Sequence, residues 1–207
     1  MKKYILLNPV ILKSYNLSSL KKEINRLGFI LVFPEKNHTE IVKNKYKELL
    51  LKEKGTIIDQ RCPLIVEYFK KNSLNVKFHN IEPILIHIAR EIASRTDLKD
   101  GYKWIITPCI ALKNYGNTLN LKNTSFLTWD EFCSKYSINT KGEKLTNSPI
   151  PFGFFSSIEK NCISIEEKDL KNISNEKIKN IRLIEGLYCH NGCHNGDGVK
   201  CIGKWRE

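Results

Sequence analysis

The chain has 207 residues, of which 41% are hydrophobic and 27% charged, as in an ordinary globular protein. It carries 34 Lys and Arg against 22 Asp and Glu, a net charge of +12, and no apolar stretch has the length of a membrane span. The basic residues are scattered without interleaved aromatics, which argues against a nucleic-acid groove. A lysine-rich surface and docking to an acidic protein partner both remain open, and we expect a cytoplasmic protein.

Predicted strands and helices alternate along the chain. The first half reads as a strand at 4–7 ending at Asn8-Pro9, a helix from Ser18 or Ser19 to Gly28, a strand at 29–33, a helix at 39–51, a strand at 56–58, a helix at 63–71 and a helix opened by Pro83. The second half reads as strands at 103–107 and 126–127, a helix from the Thr128/Glu131 capping box to Tyr136, a loop-like stretch at 137–155, a helix near 175–180 and a strand at 181–187.

This alternation predicts an α/β fold with parallel sheets flanked by helices and right-handed crossovers. We expect a single domain over residues 1–207, with two α/β lobes of about 1–100 and 101–207 that meet at a cysteine-lined cleft. Ligands in such folds collect at the carboxyl ends of strands. Cys62, Cys109 and Cys189 each follow a predicted strand, so the fold can bring them to one end.

Seven cysteines, an odd number, indicate metal ligands or buried thiols rather than disulfides in a cytoplasmic chain. Candidate ligands are densest in the loop Tyr188-Cys189-His190-Asn191-Gly192-Cys193-His194-Asn195-Gly196-Asp197-Gly198-Val199, where glycines let the backbone approach sulfur. Cys133, in a predicted helix, and Cys162, in an irregular stretch, are predicted to be inert thiols. Cys201 is a spare candidate ligand.

Two further cysteines adjoin prolines. Cys62 precedes Pro63 at a predicted helix start, where the helix dipole favours a thiolate. Cys109 follows Pro108, which stiffens its turn. Because four thiolates suit an iron–sulfur cubane, we predict that one [4Fe–4S] cluster is bound by Cys62, Cys109, Cys189 and Cys193.

The C-terminal loop has two other interpretations. Cys189, His190, Cys193 and His194 could bind zinc, but this spacing is tight and leaves the Cys-Pro and Pro-Cys turns unexplained. Cys189, Cys193 and His194 also resemble a stretched c-type haem attachment, which belongs in another compartment. Ordinary loop histidines remain the simpler interpretation of His190 and His194.

Three motifs follow one another: Arg61-Cys62-Pro63, Thr107-Pro108-Cys109 with Lys113 after it, and Ile184-Glu185-Gly186-Leu187-Tyr188-Cys189 leading into the glycine-rich loop. In this order they resemble the catalytic domain of [FeFe] hydrogenases and the related hydrogenase-like iron–sulfur assembly proteins, and the resemblance covers nearly the whole chain. It implies a [4Fe–4S] cluster on the same four cysteines. In the hydrogenases the last of them also bridges to a two-iron site.

The chain departs from the hydrogenase pattern where the two-iron chemistry takes place. Arg61 replaces the proton-shuttling cysteine, and Leu112 replaces a lysine, so that only Lys113 remains. Met1 is the only methionine, whereas methionines line the family's pocket. His190-Asn191-Gly192 stands where the family has Pro-Gly-Gly. We therefore predict that the cubane is retained and that hydrogen catalysis is lost.

Four residues are predicted to lie beside the cluster: Arg61, Lys113, Glu185 and Gly192. Arg61 would offset the negative charge of the cluster, although a plain surface arginine is the alternative. Lys113 would hydrogen-bond near the cluster, Glu185 keeps the family's position, and Gly192 lets the loop approach sulfur.

The favoured function is a non-catalytic [4Fe–4S] protein for electron transfer or redox sensing, working with an acidic redox partner. One alternative is a divergent [FeFe] hydrogenase or another cluster-based oxidoreductase, with His190, His194 and Asp197 as proton carriers. Another is a protein that assembles or passes on iron–sulfur clusters.

Overall fold

The computed structural model describes residues 1–138 and 142–200. These residues form two compact units, each with its own sheet. The first unit contains residues 1–36, the described part of 85–149, and 194–200, and the second contains 37–84 and 150–193. Within residues 1–138 and 142–200, no helix has the length and apolarity of a transmembrane span.

The strands and helices of the described chain are numbered in sequence order. The strands are β1 (Lys2–Leu6), β2 (Phe29–Leu31), β3 (Ile57–Ile58), β4 (Gly101–Thr107), β5 (Thr124–Thr128), β6 (Cys162–Ile165) and β7 (Leu183–Gly186). The α-helices are α1 (Pro9–Ser14), α2 (Leu17–Arg26), α3 (His38–Lys52), α4 (Pro63–Lys71), α5 (Ile84–Ser94), α6 (Ile110–Thr118), α7 (Trp129–Tyr136), α8 (Glu167–Leu170) and α9 (Asn175–Ile178).

The first unit has a parallel sheet in the order β2-β1-β4-β5, with helices on both faces. Successive residues of a strand point to opposite faces. Ile5 accordingly packs into an apolar cluster with residues of α1, α2 and α7. Tyr4 and Leu6 pack into a second cluster with residues of α5 and α6. The predicted class, parallel sheets flanked by helices, is confirmed.

The second unit has a smaller parallel sheet in the order β3-β7-β6. Ile184 of the central strand β7 packs into an apolar cluster with residues of α4, α8 and α9. The next residue, Glu185, therefore faces the opposite side of the sheet, and its side chain is fully buried. A carboxylate there requires polar partners, because burying an unpaired charge is costly.

Several elements differ from the sequence prediction. Asn8-Pro9 ends strand β1 as predicted, but it also begins helix α1, because the Asn8 side chain accepts the N–H groups of Val10 and Ile11. Helix α2 is capped by Asn16, so the predicted caps at Ser18 or Ser19 are wrong. Helix α6 and strand β6 were not predicted, and Cys162 begins a strand rather than lying in an irregular stretch.

Candidate metal centre

Cys62 lies at the carboxyl-end side of strand β3 and is the N-cap residue of helix α4, with Pro63 in the first turn. Its Sγ accepts the backbone N–H of Tyr188 at 3.5 Å. Burial raises the pKa of the Cys62 thiol, although backbone N–H groups, that of Tyr188 first, act to lower it. Burial therefore outweighs the helix effect that the sequence suggested.

Cys109 has the matching position in the first unit, two residues after strand β4. It is the N-cap of helix α6, and its Sγ accepts the N–H of Leu112 at 3.5 Å. The hydroxyl of Thr107 donates to the carbonyl of Cys109 at 3.0 Å. Helix α6 thus donates a hydrogen bond to the Cys109 sulfur, and the last residue of strand β4 donates one to the Cys109 carbonyl.

The C-terminal loop binds the Cys109 turn from both sides. Gly198 N–H donates to the carbonyl of Pro108 at 3.0 Å, and Ile110 N–H donates to Asp197 Oδ1 at 2.9 Å. A Cβ on Gly198 would lie 2.8 Å from Thr128 Cβ and 3.0 Å from the backbone N of Cys109. Only glycine at position 198 lets the loop backbone come this close to Thr128 and Cys109. Asp197 and Gly198 therefore hold the Cys109 turn by two short hydrogen bonds.

Cys189 and Cys193 bracket a tight turn after strand β7. Gly192 N–H donates to the carbonyl of Cys189 at 2.9 Å, and Gly192 has φ of 108°. This conformation favours glycine, which explains residue 192 by backbone geometry. Asn191, with φ of 55°, is also left-handed. Cys193 then begins a 3₁₀ turn, Cys193–Asn195.

Glu166 anchors the same turn from the end of strand β6. Its carboxylate accepts Asn191 N–H at 2.8 Å, lies 3.1 Å from His190 Nδ1 and pairs with Lys168. Burial opposes ionisation of this carboxyl, but Lys168, Asn191 N–H and His190 outweigh it and lower the pKa of Glu166 to about 2. His190, a candidate zinc ligand by sequence, thus faces a carboxylate that positions the loop.

Within residues 1–138 and 142–200, no three His, Cys, Asp or Glu side chains lie close enough to hold a metal ion. None of the six cysteines in these ranges forms a disulfide. Cys201 lies outside the described residues. Two of the proposed ligands have surroundings that suit an iron–sulfur group, because the sulfurs of Cys62 and Cys109 each accept a hydrogen bond from a backbone N–H.

Arg61, directly before Cys62, is buried, so the surface-arginine alternative is wrong. Its Nε lies 2.7 Å from Asp59 Oδ2 and its Nη2 lies 2.7 Å from Glu185 Oε1. Both carboxylates are fully buried. Burial raises the pKa of Asp59, while Arg61 acts in the opposite direction.

Main-chain and aromatic groups complete this network. Glu185 also accepts the N–H groups of Gly153 and Phe154, at 3.0 and 3.2 Å. The rings of Phe154 and Phe155 lie 4.3 and 4.6 Å from the Arg61 guanidinium carbon. Cation–π contacts of this kind are stronger when the guanidinium is shielded from water, as it is here.

The remaining predicted residues have clear local surroundings. Lys113 Nζ donates to Glu131 Oε1 at 2.6 Å, and Glu131 belongs to the predicted Thr128/Glu131 capping box, which is present. Cys133 is buried in the core of the first unit, as predicted. Burial, with the charge of Glu185, raises the pKa of the Cys162 thiol to about 12, in keeping with an inert thiol.

The sequence interpretation missed Asp59 and the aromatic pair Phe154-Phe155. One signal was available for the network, because Glu185 interrupts the apolar run of strand β7 and a buried carboxylate calls for a cationic partner. Nothing local identifies that partner, since Arg61 lies 124 residues earlier in the chain.

No protein-family model matches the chain, and no curated protein matches its sequence. Among solved structures, a variant of the [FeFe]-hydrogenase HydA1 from Chlamydomonas reinhardtii is similar, with a TM-score of 0.60 and 12% sequence identity. The match covers 95% of this chain and 79% of that chain. At this identity the likeness establishes a hydrogenase-like fold and nothing about activity.

Proposed function

We propose that the protein binds a [4Fe–4S] cluster through Cys62, Cys109, Cys189 and Cys193, and that it serves in electron transfer or redox sensing. The cluster would supply one-electron chemistry. Arg61, Lys113, Glu185 and Gly192 would shape its surroundings. A cytoplasmic, reducing setting would keep these thiols available as ligands.

One observation carries the proposal: the loop with Cys189 and Cys193 bonds to both other cysteine turns. Tyr188 N–H, at its start, donates to Cys62 Sγ. Asp197 and Gly198, at its end, bond to the Cys109 turn. Within each unit, the loop is therefore hydrogen-bonded to the turn that carries the other proposed ligand of that unit or to that ligand itself.

Hydrogen bonds and backbone geometry in these turns support the proposal. The N–H groups of Tyr188 and Leu112, which donate to the sulfurs of Cys62 and Cys109, would stabilise negative charge on ligating thiolates. Glycine at 192 keeps a side chain out of the turn between Cys189 and Cys193. These roles need no acid or base.

Arg61 supports a function other than hydrogen chemistry. A guanidinium remains protonated in proteins, so it does not exchange protons as a thiol does. Two carboxylates and two aromatic rings also fix Arg61 in place. A residue so held cannot replace a proton-shuttling cysteine, and we expect no hydrogen evolution.

The net charge of +12 favours a small acidic electron carrier as the partner. Opposite charge would raise the rate of encounter more than the final affinity.

Anaerobic preparation with iron and sulfide tests the cluster directly. We expect a brown protein with about four irons and equivalent sulfide per chain. A colourless protein that takes up zinc, or no metal, under the same conditions would contradict the proposal. Hydrogen evolution from the reduced protein would contradict the non-catalytic part alone.

A further inference from the structure

The buried network around Arg61 joins the two segments that carry Cys62 and Cys189. Within the turn after strand β3, Arg61 N–H donates to Asp59 Oδ1 at 3.0 Å and its Nε to Asp59 Oδ2 at 2.7 Å. Its Nη2 reaches strand β7 and donates to Glu185 Oε1 at 2.7 Å. Cys62 directly follows the arginine, and Tyr188, three residues after Glu185, donates to Cys62 Sγ.

A contribution to the free energy of unfolding does not by itself explain this buried network. Well-packed apolar side chains in place of a buried ion pair are often as stable or more stable. Arg61 Nη1 is also buried with no hydrogen-bond acceptor among the described residues. A buried donor without an acceptor is costly, and such groups in native proteins call for an explanation.

Strand alternation sets this network apart from the core. Ile184 faces the apolar cluster of the second unit, whereas Glu185 faces Arg61, Gly153 and Phe154. The ion pair therefore ties strand β7 to the Cys62 turn on the face of the sheet opposite the apolar cluster.

We propose that Arg61 is a positioning residue that, through Asp59 and Glu185, orders the Cys62 turn against the Tyr188–Cys189 segment before a cluster binds. This inference rests on the proposed cluster site. In this role Arg61 contacts neither iron nor a ligating sulfur. It acts by reducing the disorder that cluster binding must otherwise remove.

The test compares Arg61→Met with Arg182→Met. Arg182 is a matched control in the same unit: it precedes strand β7, at the end away from Cys62 and Cys189, and donates to the carbonyls of Leu50, Glu53 and Gly55. Should Arg61→Met fail to fold, Glu185→Gln carries the same test, because it keeps one oxygen to accept a main-chain N–H.

The first readout is hydrogen exchange of the Tyr188 amide, measured by NMR in protein prepared without iron. The second is the rate at which a chelator removes iron from reconstituted protein. We expect Arg61→Met or Glu185→Gln to speed both about 10- to 100-fold, and Arg182→Met to leave both near the wild-type values.

Equal effects of the Arg61 and Arg182 variants on both readouts would overturn the inference, since a merely structural arginine would behave so. A wild-type protein that takes up no iron would instead overturn the proposed function. In that case the exchange rate of the Tyr188 amide still decides whether Arg61 orders the turn.

Discussion

A thiol is an unusual N-cap, because serine, threonine, aspartate and asparagine accept the first free N–H groups of a helix better. Cys109 nevertheless caps helix α6 with its Sγ, and Cys62 occupies the cap position of α4. Cysteine at two such positions, each just past a buried parallel strand, sacrifices helix stability. The proposed ligand role accounts for that sacrifice.

Substitutions at Cys109 separate helix capping from cluster binding. In protein without iron, Cys109→Ser should raise the free energy of unfolding by about 0.5–1 kcal/mol and Cys109→Ala should lower it by a similar amount. Urea unfolding measures both. In reconstituted protein both variants should lose iron. Equal unfolding energies for wild type and the Ala variant would show that the thiol is not a working cap.

Glu166 gives the iron-free protein a pH-dependent stability. Its folded pKa of about 2 is below the ordinary value of 4.5, so its contribution is present above about pH 4.5 and is lost as pH falls toward 2. Glu166→Gln should remove this part of the pH dependence, on the order of 1–3 kcal/mol.

The measurement is urea unfolding of wild type and Glu166→Gln at pH 5.5 and pH 3.5. The control is Glu159→Gln. Among the described hydrogen bonds, the Glu159 carboxylate accepts only the local N–H of Asn161. Parallel pH curves for wild type and Glu166→Gln would contradict the assigned contacts.

At the scale of elements, sequence pattern was reliable where an element is long and periodic. Leu20 and Ile24 mark helix α2, and both are buried. The sequence pattern does not reveal the six-residue helix α1, because Asn8-Pro9 also marks the end of a strand. Strand β6 was missed because its four residues mix Cys162 and Ser164 with two isoleucines. Short elements of this kind depend on tertiary packing.

Two asparagine caps test how burial alters the worth of a cap. Asn8 is buried, caps α1 and donates through Nδ2 to the carbonyl of Ile106 at 3.2 Å. Asn16 caps α2 at the surface. We expect Asn8→Ala to cost about 2–3 kcal/mol and Asn16→Ala about 1 kcal/mol in urea unfolding. Equal costs would mean that the bond to Ile106 contributes nothing.

At the scale of the whole molecule, alternating strands and helices were enough to predict parallel sheets flanked by helices, because that pattern is repeated along the chain. The Arg61 network was beyond sequence reasoning. It joins residues 124 positions apart, and local periodicity carries no information about such a pair. The turns around the four proposed ligands, and no shared spacing between them, indicate those residues in the sequence.

The net charge of +12 should govern encounter with an acidic redox partner. The rate of reduction by a small acidic ferredoxin should fall at least about tenfold between low salt and about 0.5 M NaCl, because salt screens exposed charges. Stopped-flow absorbance measures this rate, with a neutral small-molecule reductant as the control. A rate independent of salt would contradict electrostatic docking.

Electron paramagnetic resonance of the reduced, reconstituted protein, with iron analysis, tests the proposed four-cysteine site most directly. Alanine replacing Cys62, Cys109, Cys189 or Cys193, one at a time, should abolish or alter the cluster signal and lower the iron content. Alanine at Cys133 or Cys162 should leave the signal unchanged. A wild-type signal from any of the first four variants would contradict the account.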